Sequence, residues 1–322
     1  MNMMKACMAL LVSFCAIVQP FKTLQAQQAK GSSLLLADPT IFFHRGVYYL
    51  YGTLNNSAIG GFKVYTSTDQ KKWEDRGYVL KKGEAFGTTG FWAPQVFAYN
   101  EKFYMAYTAS EHIAIAEADS PLGPFRQVVQ QPLDPEVRMI DPFVYFDPSG
   151  KIYLYHVRLQ KGNRIFVAEL NKELTSIDNS TLVECISASL PWEDTQNAGW
   201  KVAEGPTVLK HRGVYYMVYS ANDFRNPDYA IGYATATSPT GPWIKSNNNP
   251  IIDRKNMGWN GTGHGDLFAD KKGKMWYVFH VHNSDAKVAP RRTAITGIKF
   301  KNQKREPAKL VAQPKTFRLL QD

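Results

Sequence analysis

The hexapeptide His-Arg-Gly-Val-Tyr-Tyr occurs twice in the chain, at residues 44–49 and 211–216. A chain that repeats itself this closely is built from copies of one unit. PTIFFHRGVYYLYGT begins at Pro39 and PTVLKHRGVYYMVYS at Pro206, with APQVFAYNEKFYMAYT from Ala93 and DPFVYFDPSGKIYLYH from Asp141 between them. A fifth copy, GDLFADKKGKMWYVFH, starts at Gly265. Each reads as an apolar strand, a polar turn with Gly or Asn, and an aromatic-rich strand, and helical periodicity is almost absent after residue 30. A further strand-like run follows each copy, for example FKVYTSTD, IAIAEADS, RIFVAEL, AIGYATAT and ITGIKFKN. Copies starting near residues 38, 93, 141, 205 and 265 are spaced as four-stranded antiparallel sheets with their loops. The expectation is all-β: a five-bladed β-propeller in a single domain over residues 27–322, preferred to a sandwich or barrel. The repeats reach about residue 300 and leave no room for a second domain, so Gln303–Asp322 is expected to close the last blade or pack along the rim. The aromatic content of 13% agrees with strands and excludes a largely disordered chain.

The first residues have a different character. Lys5 precedes an apolar run from Ala6 to Val18, too short to span a bilayer, and Ala26 offers a small residue for cleavage. Residues 1–26 therefore read as a secretory signal peptide, which makes the protein exported, either periplasmic or extracellular. Cys7 and Cys15 leave with that segment, so Cys185 is alone and the fold must hold without disulfides. Loss of Lys5 and Lys22 lowers the net charge from +10 by two, to +8. The basic residues are scattered in pairs such as Lys71-Lys72, Lys81-Lys82 and Lys271-Lys272 at turn-like sites, so no nucleic-acid partner is expected. No membrane span follows, and the expected state is a monomer.

Chemistry is concentrated at the starts of the first strands. In a propeller these strands line the axis, and their entry ends converge on one face. Three copies carry an acid there: Asp38 in Ala-Asp-Pro-Thr, Asp141 in Ile-Asp-Pro-Phe and Glu204 in Ala-Glu-Gly-Pro. The other two carry Trp92-Ala93-Pro94 and His264-Gly265-Asp266. One acid before proline is an ordinary turn former. Three at equivalent places in a closed repeat point instead to a shared pocket. Aligning the prolines sets Glu204 opposite Ala37, one residue before Asp38. One residue of slip reverses a side chain in a regular strand, so Glu204 is expected to aim at a different part of the pocket.

These residues resemble glycoside hydrolase family 43, the five-bladed propellers of the arabinofuranosidase, xylosidase and arabinanase group, over essentially the whole chain after residue 26. The Trp-Met-Asn-Asp-Pro signature of the related fructan-cleaving propellers is absent. The resemblance implies Asp38 as general base, Asp141 as the acid that orients and tunes its partner, and Glu204 as general acid. It matches His264 to the family's axial histidine, which touches a water or a structural Ca²⁺ ion there, while the chemistry itself needs no cofactor. It matches Arg291, in PRRTAITGIKF, to a substrate-contacting arginine, and Trp92 to an aromatic of the pocket wall. Phe91 and Ser220 are further candidates for substrate contact, although a turn role suits Ser220 equally.

Such residues suit inverting hydrolysis of a glycosidic bond. An ionised carboxylate activates water, and a protonated one roughly 6.5–9.5 Å away releases the leaving oxygen. Repulsion by Asp141 is expected to keep Glu204 protonated. The implied activity is exo-acting release of pentose units from plant polysaccharide or its oligosaccharides, α-L-arabinofuranosidase ahead of β-xylosidase. Endo-arabinanase or galactan-directed hydrolysis and a catalytically silent carbohydrate-binding propeller are the alternatives.

Overall fold

The computed structural model describes residues 32–55, 60–304 and 306–322. The segment read as a signal peptide lies outside them. Among the described residues nineteen strands form five antiparallel sheets. The first contains β1 (Leu36–His44), β2 (Val47–Leu54), β3 (Gly61–Ser67) and β4 (Glu74–Lys81). The second has β5 (Trp92–Tyr99), β6 (Lys102–Ala109) and β7 (His112–Ala118), with Glu117 and Arg126 exchanging two backbone hydrogen bonds in place of a fourth strand. The third comprises β8 (Met139–Phe146), β9 (Ile152–Leu159), β10 (Asn163–Leu170) and β11 (Ile177–Ile186). The fourth comprises β12 (Ala203–His211), β13 (Val214–Ala221), β14 (Ala230–Ala236) and β15 (Ile244–Lys245). The fifth comprises β16 (Gly263–Ala269), β17 (Met275–Val281), β18 (Arg292–Lys301) and β19 (Lys309–Leu319). Each sheet is a blade whose strands neighbour one another in chain order, so the sequence repeat is the blade.

The repeated hexapeptide has a local explanation. His44 pairs with Val47 and His211 with Val214, leaving Arg-Gly as a two-residue hairpin turn. Both turn residues have positive φ, 47° and 84° at Arg45-Gly46 and 50° and 83° at Arg212-Gly213, as a type I′ turn requires. The Val-Tyr-Tyr that follows opens β2 and β13, where Tyr48, Tyr215 and Tyr216 are buried.

Apolar side chains of each blade pack against the next. Blade 1 meets blade 2 through Tyr51, Phe62, Met105 and Tyr107, and blade 2 meets blade 3 through Phe97, Ile113, Leu154 and Leu170. Blades 3 and 4 share Tyr155, Val157, Val208 and Tyr219, and blades 4 and 5 share Tyr216, Ile231, Tyr277 and Phe279. Leu36, Leu50, Trp276 and Ile295 complete the ring between blades 5 and 1. Backbone bonds reinforce that closure: Leu34 donates to Leu320, Thr293 donates to Leu34, and Ser32 meets Asp322. The C-terminal residues thus close the last blade. Trp73 lies in the core between blades 5 and 1, Trp243 packs against the core between blades 3 and 4, and Cys185 is a free thiol. Among the described residues no helix is long and apolar enough to cross a membrane.

Candidate active site

All five inner strands carry the same irregularity. The pairing of first and second strands slips between Ala37 and Thr40, Trp92 and Gln95, Ile140 and Phe143, Glu204 and Thr207, and Gly263 and Gly265. Each slip is a β-bulge with one extra residue in the left-handed region: Asp38 (φ 46°), Ala93 (46°), Asp141 (57°), Gly205 (60°) and His264 (40°). A proline follows in four of the five, and a bulge tolerates it because no ladder hydrogen bond is lost there. Left-handed backbone costs a non-glycine residue roughly 1–2 kcal/mol, so a ring of four such residues is held by its surroundings.

Five hydrogen bonds between blades do the holding. The amide of Ala93 donates to Thr53 Oγ1 (2.9 Å), that of Asp141 to Thr108 Oγ1 (3.0 Å) and that of His264 to Ser220 Oγ (2.8 Å). The Asp38 amide donates to His280 Nδ1 at 3.2 Å. These acceptors are cross-strand partners of Ala37, Trp92, Glu204 and Gly263, each one residue before a bulge. The corresponding partner in blade 3 is Val157, which has no acceptor. There the Gly205 amide donates to Asp141 Oδ2 instead, at 3.2 Å. Asp141 thereby fixes the peptide adjoining Glu204. Ser220, expected to contact substrate, is fully buried behind the site and holds the His264 backbone.

The slip read from the prolines has this origin. Asp38 and Asp141 sit on the left-handed residues, whereas Glu204 sits one position earlier, equivalent to Trp92 and Ile140. All five line one pocket of about 420 Å³, together with Asn163, Trp200, Phe224, His264 and Arg291 among others. Trp92 and Arg291 are therefore where the sequence reading put them. Phe91 is not: it lies just before β5 and points into the core between blades 1 and 2, stacked on Tyr107 at 6.1 Å.

Arg291 Nη1 donates to Asp38 Oδ1 (3.1 Å) and Thr53 Oγ1 donates to Asp38 Oδ2 (2.7 Å). Burial works to raise the Asp38 pKa, but Arg291, then His264 and His280, outweigh it and hold the carboxyl well below the usual range. Burial holds both imidazoles below their ordinary value, His280 down to about 3, so Arg291 is the permanent positive charge. Glu204 has neutral partners: Tyr229 OH donates to Oε1 (2.7 Å) and Asn163 Nδ2 to Oε2 (2.8 Å). Burial lifts its pKa to about 7 against these two bonds, with the charges of Asp38 and Asp223 adding to the rise. Burial, rather than repulsion by Asp141, is thus the main cause. Asp141 is itself raised well above the carboxylate range by burial and by Glu204 and Asp38. Tyr229 stacks on His280 with ring centroids 5.6 Å apart, so a ring pair links the two carboxyls from behind.

The glycines around His264 make this packing feasible. A Cβ on Gly263 would lie 2.0 Å from the Tyr229 ring, and one on Gly205 would lie 2.8 Å from His264. His264 Nδ1 faces Asp38 Oδ1 at 3.5 Å and Asp141 Oδ2 at 3.8 Å. Along the axis next to it is a space of about 20 Å³, enough for a water, lined by Thr40, Gln95, Thr207 and Asp266. Asp266 already accepts from Thr40, Thr207 and the Leu267 amide, and Gln95 is bonded to the Val144 backbone. Asp38, Asp141 and His264 line the same space, and Ca²⁺ takes six to eight oxygen ligands, so an ion there would have to complete its shell with water. Among the described residues no group of three or more His, Cys, Asp or Glu forms a metal-binding cluster.

The family model for glycosyl hydrolases family 43 matches residues 32–304. The chain belongs to that family. Its sequence is 26% identical over 269 residues to the extracellular endo-α-(1→5)-L-arabinanase 1 of Bacillus subtilis, covering 74% of this chain and 78% of that protein. It is 24% identical over 265 residues to a β-D-galactofuranosidase of Aspergillus niger, covering 76% and 73%. Among solved structures, an endo-1,4-β-xylanase from Bacteroides thetaiotaomicron superposes with a TM-score of 0.85 at 40% identity, covering 91% of this chain and 99% of that one. This family-43 chain is a glycoside hydrolase with a five-bladed propeller fold. The groups around the site that motif reading missed are His280, Tyr229, Asn163, Trp200, Thr53 and Thr108. The signal that was present for Thr53, Thr108 and His280 is their shared register opposite the residue before each bulge.

Proposed function

We propose that the protein cleaves glycosidic bonds with inversion, Asp38 acting as base and Glu204 as acid, and releases pentose units from the ends of plant polysaccharide chains or their oligosaccharides. One observation carries the reading: two carboxyls of equal burial face one pocket, one held ionised by Arg291 and the other held protonated up to about pH 7. In this mechanism Asp38 takes a proton from a water as its oxygen attacks the anomeric carbon. The bond to the leaving oxygen breaks as Glu204 gives that oxygen its proton. Asp141 keeps the Gly205 peptide, and with it Glu204, in place through the hydrogen bond at 3.2 Å. Arg291 orients Asp38 and presents its remaining guanidinium face to the sugar.

A volume of about 420 Å³ lies at the small end of ligand sites and suits one or two sugar rings, which favours terminal residues over mid-chain attack. The preferred substrate is an α-L-arabinofuranoside, with a β-xyloside second. The 40% identity to a protein described as an endo-1,4-β-xylanase makes internal cleavage of xylan the competing reading. Action after export, on material outside the cytoplasm, completes the proposal.

The test is hydrolysis of aryl arabinofuranosides, aryl xylosides, linear arabinan and xylan, with Asp38→Asn and Glu204→Gln alongside. The expected result is release of monosaccharide from one pentoside class, and a loss of about 10³-fold or more in each variant on substrates with sugar leaving groups. Oligosaccharide products from polymer would move the reading to endo action. An inactive parent on the whole panel would overturn it.

A further inference from the structure

Beside Glu204 the rim carries an aromatic side chain that neither the fold nor the acid-base pair requires. Trp200 is 49% exposed, lines the pocket, and sits on the long loop between β11 and β12. The loop is nevertheless rigidly seated. The buried Glu193 carboxylate accepts from the Ser189 and Leu190 amides, Tyr219 OH and Lys245 Nζ, and Asn222 bonds the Thr195 amide and the Trp192 carbonyl. Its end docks on the β9–β10 hairpin, where the Asn163 amide donates to the Lys201 carbonyl at 2.9 Å. A Cβ on Gly162 would lie 2.6 Å from that same carbonyl, so the approach needs glycine there.

We propose that Trp200 is the platform on which the leaving-group sugar stacks, and that it positions the acid Glu204 through Asn163. The relay follows from hydrogen-bond chemistry. The indole N–H only donates, so the atom it meets on Asn163, at 2.8 Å, is the amide oxygen Oδ1. The amide's other end is then the NH₂ group, and it faces Glu204 Oε2 at 2.8 Å as a donor. Trp200 thus dictates which end of Asn163 the acid sees. A donor there favours the carboxylate over the acid form; an oxygen there would favour the acid form. A sugar lying on the exposed indole face would brace the loop that carries this chain of contacts, next to the group that protonates its oxygen. Trp92, in contrast, occupies the blade 2 position equivalent to Glu204, and its register partner Thr108 bonds the Asp141 amide, so it has no such link to the acid. The inference rests on the reading of Glu204 as the acid, and Asn163 and Trp200 act through it.

The test compares full-length Asn163→Ala, Trp200→Phe, Trp200→Ala and Glu204→Gln. Substrates are arabinobiose or xylobiose, whichever the parent cleaves, and the matching glycosyl fluoride, whose leaving atom occupies no sugar site. Asn163→Ala removes a donor to Glu204, so the alkaline limb of kcat/KM moves up by about one pH unit. Trp200→Phe keeps an aromatic face but frees the amide to turn. It should move the same limb upward by about half a unit or more while KM for the disaccharide stays within about threefold. Trp200→Ala should raise KM for the disaccharide about tenfold and leave KM for the fluoride unchanged. An unmoved limb in both Asn163→Ala and Trp200→Phe, with Glu204→Gln inactive on the disaccharide, overturns the relay. Equal KM changes on both substrates in Trp200→Ala overturn the platform. Full activity of Glu204→Gln would bring down the acid assignment first, and this inference with it.

Discussion

Asp38 and Glu204 line one pocket and are buried alike, 8% and 9% exposed, yet their protonation is driven in opposite directions. Burial alone raises both. The difference lies in their partners. Asp38 receives a guanidinium as well as a hydroxyl, and the positive charge overturns the burial effect. Glu204 receives a phenol and an amide, which carry no charge and only temper the rise. Their opposite protonation therefore depends on who donates to each, and burial does not separate them. The same holds for the bulge that presents Asp38 and Asp141, since Ala93 adopts it in blade 2 with no chemistry attached.

The comparison can be broken at Arg291. In Arg291→Met, the largest influence opposing the burial of Asp38 is gone, so its pKa rises and the proposed base is protonated over more of the working range. The acid limb of kcat/KM should then shift upward toward the alkaline limb near pH 7. Activity at the optimum should fall by about 10²-fold or more, with loss of a sugar contact included. An acid limb unchanged from the parent's would show that Arg291 does not set the Asp38 charge.

A smaller change sharpens the comparison at Asp141. Val157→Thr would give blade 3 the hydroxyl that blades 1 and 2 have, and the Gly205 amide would gain a second acceptor. The amide would divide between the introduced hydroxyl and Asp141, Asp141 would lose its exclusive hold on the peptide adjoining Glu204, and kcat should drop by several-fold. The melting temperature should stay within a few degrees, since Thr53 and Thr108 occupy the same place in other blades. An unaltered kcat and pH profile would mean that the Asp141–Gly205 bond contributes nothing to positioning.

These contacts explain how far the sequence could be read. Blade count, order and inner strands were legible because turn chemistry and strand alternation are local, and the hexapeptide is a type I′ hairpin written out in full. The three acids were legible because they recur at one place in that repeat. Even the displacement of Glu204 could be seen from the prolines, although its cause, a bulge shared by all five blades, could not. Thr53, Thr108 and His280 escaped a motif reading, and Ser220 was read as a substrate contact, because all four act across blades, through register with a neighbour's amide. Asn163, Trp200 and Tyr229 come from a hairpin tip, a long loop and a third-strand approach, whose courses no repeat specifies. Phe91 was misassigned because it precedes β5 and packs on Phe62 and Tyr107 in the core, while Trp92, the first residue of the strand, lines the pocket.

The central claim, that Glu204 is the protonated partner of an ionised Asp38, is tested most directly by the pH dependence of kcat/KM in Glu204→Gln. With an aryl pentoside of intermediate leaving ability, whose departure a proton speeds but does not strictly require, the variant should retain measurable turnover. The parent should lose activity as pH rises through about 7, where Glu204 gives up its proton. The variant should show no such fall, while the acid limb belonging to Asp38 stays in place. A decline near pH 7 that persists in Glu204→Gln would contradict the account.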